Sequence, residues 1–568
     1  MAPPKEVAIV TRTLTLTVGS LLLCTPSLAF AQGTPVPLPS AVPSATAPAP
    51  LPPAPQPTWQ SAPSTAPPAA YPTAPPPAPV EPVYPPAPAP APAPPPSKPI
   101  LGSPIELTSL RLMREKGVIS QAEYDSAVRD LRETVGSSAA TQQGTVVVGK
   151  WATTLYGFVD ADAISDSTQS FTDAAGSGLV ARAGSVAGEN YRFQMGIRNS
   201  RVGLRIKAPE VSSVRASANL EFDFQGEPSI VGATTTAYSI SGIGEGAYWA
   251  NPLLRVRHMN LRVETPVVDI LFGQYWQVFG WQSAYHANTV ELQGVPGEIN
   301  ARTTQFRISK TVKADPITFE IAVAATRPVQ RDTGIPDGQG GIRLAVDSWT
   351  GVQTVGSTGT QISPLSIAAT GLVRRVEVNA FQAVPKTTKE LTLSAFAVDA
   401  FLPVIPGTKD NKGNSLSFNG EFASGYGFND MYTGLTGGIT FPTYPAPPAG
   451  GTQAIPNIDN GVVTFDSGGG LHGIQWTTWL LGGQYYFPGL DARLFVSGNY
   501  SHVQSANSHY YGAASKTMAA EDWFDVNLFG DPLPSVRIGL EYANFNTMTV
   551  DGIHSINHRI QLSGFYLF

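Results

Sequence analysis

The chain holds 568 residues, of which 42% are hydrophobic and only 14% charged, with 55 glycines and 52 prolines. So few charges set it apart from soluble domains, where about 25% is usual. No apolar run beyond the N-terminal region approaches the length of a spanning helix, so a helical membrane protein is excluded and a β-barrel in lipid is not. A net charge of −6 without any Lys/Arg run argues against nucleic acid as a partner.

Residues 1–31 are predicted to be a secretory signal peptide. Lys5 and Arg12 supply positive charge, Leu14 to Leu28 is mostly apolar, and Ala29-Phe30-Ala31 forms a small-x-small cleavage site. Pro26 and the short apolar run disfavour an anchoring helix, and Leu23 before Cys24 disfavours an acylated cysteine. Cys24 is the single cysteine, so removal of this segment would exclude disulfides and thiolate metal sites. Residues 32–104 carry more than half of the prolines, mixed with alanine. Proline donates no backbone hydrogen bond, so this stretch is expected to be an extended linker, a plain tether or a spacer touching the cell wall.

Residues 105–136 change character. Ile105, Leu107, Leu110 and Met113 are spaced for a helix, Gly117 offers a C-cap, and Ser120 with Glu123 forms a capping box before Tyr124, Val128 and Leu131. The motif resembles the short helical-hairpin oligomerisation modules of bacterial proteins. The resemblance implies self-association, and a hairpin packed on the rest of the chain is the alternative.

Residues 150–568 read as an all-β transmembrane antiparallel barrel. The periodicity is two: Ser200 to Lys207 alternates Val202, Leu204 and Ile206 against Arg201, Gly203, Arg205 and Lys207. Arg493–Tyr500, Arg537–Tyr542 and Gln305–Ile308 repeat the pattern. Long polar or Gly-rich segments at 225–252, 328–360 and 440–470 alternate with short turns, as on the two rims of an outer-membrane barrel. Tyr156, Phe158, Tyr485, Tyr486, Phe487, Phe565 and Tyr566 are placed to form interfacial girdles. In the last strand Ile560, Leu562, Gly564, Tyr566 and Phe568 share one face. At about 10 residues per strand plus connections, the segment allows about 16 to 18 strands, enough for an aqueous channel.

Tyr566 and Phe568 on an alternating final strand resemble the assembly signal of bacterial outer-membrane proteins, which implies the barrel assembly machinery as a partner. Leu155-Tyr156-Gly157-Phe158-Val159-Asp160, Ser200–Arg205, Leu220–Phe224, Arg257–Val263 and Asp269–Gln274 look like successive strands of general Gram-negative porins. With the cluster Tyr275–Gly280, the chain looks closest to the DcaP-like dicarboxylate porins. The resemblance implies a trimer, an outer-membrane location, and a constriction loop after Gln274. The Pro-Ala tract before the hairpin departs from that group.

If the apolar partners face lipid, Arg201, Arg205 and Lys207 face the lumen, followed by Arg255, Arg257 and Arg262, with a phase slip near His258 that predicts a bulge. Arg302 and Arg307 follow the loop. An arginine on the lipid face costs ~2–4 kcal/mol at midplane, so the lumen is its physical place. Clustered guanidinium groups concentrate carboxylates, which points to small anionic solutes. The alternative is neutralisation by Glu221, Asp223, Glu291 and Glu298, leaving a weakly selective pore. In the loop from Tyr275 to Asn300, Trp276, Phe279 and Trp281 are expected either to line an apolar slide or to anchor the loop.

An enzyme is not expected, since none of the seven histidines stands in a catalytic arrangement with Ser or Asp. No cofactor or metal site is apparent. A phosphate-selective pore would place lysines where arginines dominate here, and an added cell-wall tethering role is the remaining alternative.

Overall fold

The computed structural model describes residues 145–148 and 151–568 apart from 176–178, 227–252, 293, 331–332, 355–358, 432–441 and 513–514, together with Arg114 and Lys116. The predicted signal peptide, the linker and, apart from those two residues, the helical hairpin lie outside the described residues.

In chain order the strands are β1 (Thr145–Val148), β2 (Trp151–Asp166), β3 (Arg192–Gly196), β4 (Arg201–Lys207), β5 (Arg215–Gly226), β6 (Leu253–Glu264), β7 (Asp269–Trp276), β8 (Arg302–Ala314), β9 (Ile317–Thr326) and β10 (Asp337–Gln353). Then follow β11 (Gln361–Asn379), β12 (Thr388–Ile405), β13 (Leu416–Tyr426), β14 (Val463–Phe465), β15 (Leu471–Gly473), β16 (Gln475–Tyr486), β17 (Leu494–Ser505), β18 (Met518–Leu533), β19 (Val536–Thr549) and β20 (His554–Leu567). All but β14 and β15 belong to one antiparallel sheet of 18 strands. β3 and β4 are halves of one stave, both paired to β2, and β1 is a short addition beside the start of β2. The barrel therefore has 16 staves.

The sheet closes where β2 pairs with β20, from Phe158↔Leu567 to Asp166↔Arg559. At the seam Gly157 and Phe568 exchange both backbone hydrogen bonds at 3.0 Å. Gly157 has φ +154°, and a Cβ there would stand 2.2 Å from the Arg201 carbonyl oxygen, so only glycine fits.

Alternation sorts the side chains. Along β20, Ile556, Ile560, Leu562 and Tyr566 are exposed while Ser555, Asn557, Arg559, Gln561 and Ser563 are buried inside. Along β19, Ile538, Leu540 and Tyr542 point out while Arg537 and Glu541 point in. An apolar outside with a polar inside is the inverse of a soluble barrel and the arrangement lipid demands.

Connections on one rim are short, such as 265–268, 315–316 and 534–535, while the other rim carries 167–191, 277–301 and 427–474. Two expectations are corrected. The span 328–360 is not one long loop, because β10 runs through it; Ile342 and Leu344 alternate with Arg343 and Ala345 there, a strand signal that surrounding glycines mask. Nor are all the strand-end aromatics girdle residues. Phe158, Tyr486 and Phe565 are buried inside, and Tyr156 turns its hydroxyl to Asn219 and Glu221. Neighbours on a strand face opposite sides, so of Phe565 and Tyr566 only Tyr566 can reach lipid.

Candidate functional site

Strands β4, β6 and β8 carry a band of cations on their inner faces. Arg201 stands in β4 with its Nε 3.6 Å from Glu221 of β5. The predicted irregularity in β6 is present: Glu221 pairs with His258 and Phe222 with Val256, so Arg257 is the extra residue. That bulge lets Arg257 and His258 both turn inward, each nearly fully buried. Arg257 Nε donates to Glu221 and its Nη1 to Asp223, each at 2.8 Å. Arg255 grips Asp223 bidentately at 3.0 and 2.6 Å. Arg201, Arg255 and Arg257 thus share the two carboxylates Glu221 and Asp223.

Arg205, Lys207, Arg302 and Arg307 have no acid within ion-pair distance among the described residues. Arg205 lies 5.1 Å over the Tyr156 ring and Arg302 lies 4.6 Å over Trp276. Arg307 bonds Gln305 and the Trp276 carbonyl oxygen. Lys207 is exposed at the short-turn rim. Arg262, in contrast, is neutralised by Glu264 and Asp269.

The segment 277–301 crosses the lumen and is fixed to the opposite wall. Val278 and Phe279 donate backbone N–H to Gln339 of β10, and Gly280 to Thr370 of β11. Tyr285 bonds Ser366, Val290 bonds Asn527 of β18, and the Glu291 N–H bonds Glu541 of β19. Ile299 bonds Glu421 of β13 at 2.8 Å. Phe279 is fully buried among Leu372, Phe428, Met431 and Trp476, and Trp281 packs on Ala322, Ala368 and Phe401. Those two residues anchor the loop; Trp276 instead lines the open space, with its ring against His258 and His286. Gly280 has φ +77°, and a Cβ there would meet Ile299 at 2.9 Å, so the fold of the loop requires glycine.

A second segment, 167–191, also turns inward. Phe171, Ala175 and Val180 are buried with Ala287 and Val295. Glu291 joins the two loops, accepting the Ala175 N–H at 3.2 Å and pairing with Arg559 of β20 at 3.2 Å. Outside the barrel wall, Arg182 holds the Asp551 carboxyl well below the usual carboxylate range by direct hydrogen bonds. Glu298 pairs with His286 of its own loop.

With the loops fixed to β10–β20, the remaining space lies against the arginine wall. A cavity of about 610 Å³ is lined there by Tyr156, Arg201, Arg205, Arg257, Trp276 and His286, among others, and reaches Ser535 at the short-turn rim. The site also contains residues that the strand reading passed over. Tyr156, His258 and His286 line the same cavity. Arg343 and Arg559 were legible from alternation: Arg343 sits between Ile342 and Leu344, and Arg559 precedes the alternating run Ile560, Leu562, Gly564.

A closed barrel with an apolar outside, unequal rims and a loop folded into its lumen has the architecture of porin-type outer-membrane channels. No family model matches the chain, and no curated protein does. Among solved structures, the outer membrane channel DcaP of Acinetobacter baumannii is similar with a TM-score of 0.52 and 18% identity, over 75% of this chain and 99% of that one. The fold of this chain is the fold of that channel. An anion-selective porin from Comamonas acidovorans aligns at TM-score 0.40 and 10% identity, over 74% of this chain and 100% of that one. Salmonella typhi OmpF aligns at 0.41 and 10%, over 75% and 100%.

Proposed function

We propose that the chain is an outer-membrane porin that passes small hydrophilic anions, carboxylates foremost, by passive diffusion. The observation that carries the reading is the charge of the wall left open by the loops. Three guanidinium groups share Glu221 and Asp223 there, while Arg205, Arg302 and Arg307 have no acid at ion-pair distance among the described residues. Guanidinium is always charged and matches a carboxylate with paired donors, so such a wall attracts and guides anions. A membrane pore lined by cations lowers the barrier for anions and raises it for cations. In this reading residues 1–31 direct export, 32–104 tether, and 105–136 promote a homotrimer in the periplasm.

The test is reconstitution of the mature protein in a planar bilayer with a KCl gradient. Conductance steps with a reversal potential on the chloride side are expected, together with block by a dicarboxylate that weakens in Arg205→Ala. A potassium-side reversal potential would overturn the anion preference and keep the channel. Block by phosphate but not by dicarboxylate would move the solute class to phosphate.

A further inference from the structure

The constriction loop brings its own acid into the channel beside the arginine wall. Glu298 and His286 both line the open cavity. His286 Nδ1 stands 3.1 Å from Glu298 Oε1, which also accepts the Ala287 N–H at 3.0 Å. No lysine or arginine among the described residues lies within ion-pair distance of Glu298, and the His286 imidazole is the basic side chain in contact with it. The carboxylate is held in place from behind, because Thr478 and Ser501 bond the carbonyls of Gly297 and Pro296.

We propose that the His286–Glu298 pair sets the ion selectivity of this channel and makes it depend on pH. This rests on the reading of the chain as an anion-passing porin. With neutral His286, Glu298 places a full negative charge in the constriction, opposing the arginine wall. With a proton on His286 the pair is neutral, and the wall acts alone. Acidification therefore makes the pore more selective for anions, and alkalinity makes it less so.

The surroundings are mixed in sign. The His286 ring lies 4.8 Å from Trp276, whose ring carries Arg302 at 4.6 Å, and His258 lies 5.4 Å from that ring. Arg201, Arg257 and Glu221 line the same cavity. Behind the loop, Glu421 bonds the Ile299 N–H and stands opposite Asp399 in the sheet register. Glu298 is the acid in direct contact, so it decides the coupling.

The experiment uses the full channel in a planar bilayer with a KCl gradient, at about pH 8 and about pH 5. The wild-type chloride-to-potassium permeability ratio should rise up to about ten-fold on acidification, because a unit charge about 6 Å from the ion in a water-filled pore changes each permeability about three-fold, in opposite directions. Glu298→Gln should show, already at about pH 8, the ratio that the wild type reaches at about pH 5. His286→Gln should show the low ratio at both. If His286→Gln folds poorly, as judged by heat-modifiable mobility, His286→Asn serves in its place. A pH shift retained in both Glu298→Gln and His286→Gln would overturn the assignment. Potassium preference at both pH values, with a shift that His286→Gln removes, would overturn the anion reading and support the pair. An absence of conductance in folded wild-type protein would overturn both.

Discussion

At the scale of single residues, arginines of the same wall do different work. Arg257 is buried against Glu221 and Asp223, and removing it takes a buried partner from both carboxylates, leaving Glu221 to Arg201 and Asp223 to Arg255. Breaking a buried pair by deleting one partner costs about 3–5 kcal/mol. Arg257→Ala should therefore lower the urea midpoint for barrel unfolding in lipid vesicles and also weaken chloride preference. Arg205 is exposed to the lumen and touches the Tyr156 ring. Arg205→Ala should leave stability within about 0.5 kcal/mol, as surface changes do, and shift the reversal potential alone. On the outside, Leu562 is half exposed in the middle of the apolar band. Leu562→Arg should cost ~2–4 kcal/mol in the same urea titration, the cost of a guanidinium in the hydrocarbon.

At the scale of elements, the constriction loop is a built part of the lumen. Its backbone N–H groups end on acceptors from five different strands, and Phe279 fills an apolar pocket between β11, β13 and β16. Cavity formation by Phe→Ala typically costs about 3–5 kcal/mol. Phe279→Ala should release that end of the loop, and single-channel recordings should show a larger, noisier open current. Much of this was legible beforehand. The alternation from Arg201 to Lys207 places those cations inside, and the phase slip near His258 marks the bulge that lets Arg257 and His258 share one face. Which cations are compensated was not legible, because Glu221 and Asp223 sit on a neighbouring strand and only register sets them opposite Arg201, Arg255 and His258. The division of the loop aromatics was equally hidden. Phe279 and Trp281 anchor while Trp276 lines, and the difference comes from strands far along the chain.

At the scale of the whole molecule, the barrel closes between β2 and β20, with β1 as a short addition beside the start of β2 among the described residues. A chain exported from a separate signal and beginning at Thr145 should therefore insert and give the wild-type unit conductance, read in the same bilayer assay. Loss of conductance in that chain would assign the earlier residues a part in forming the pore.

The sequence by itself determined the barrel, its lipid-facing residues and the inward direction of its arginines. A period of two forces alternate side chains onto opposite faces, and lipid accepts only the apolar one. Tertiary structure alone decided which part of the lumen stays open and which charges remain unbalanced there. Both follow from contacts between residues far apart in the chain: Glu291 with Arg559 and Glu541, Ile299 with Glu421, and Phe279 with Trp476. No local pattern encodes such contacts, because they exist only once the ring has closed and the loops have found the wall.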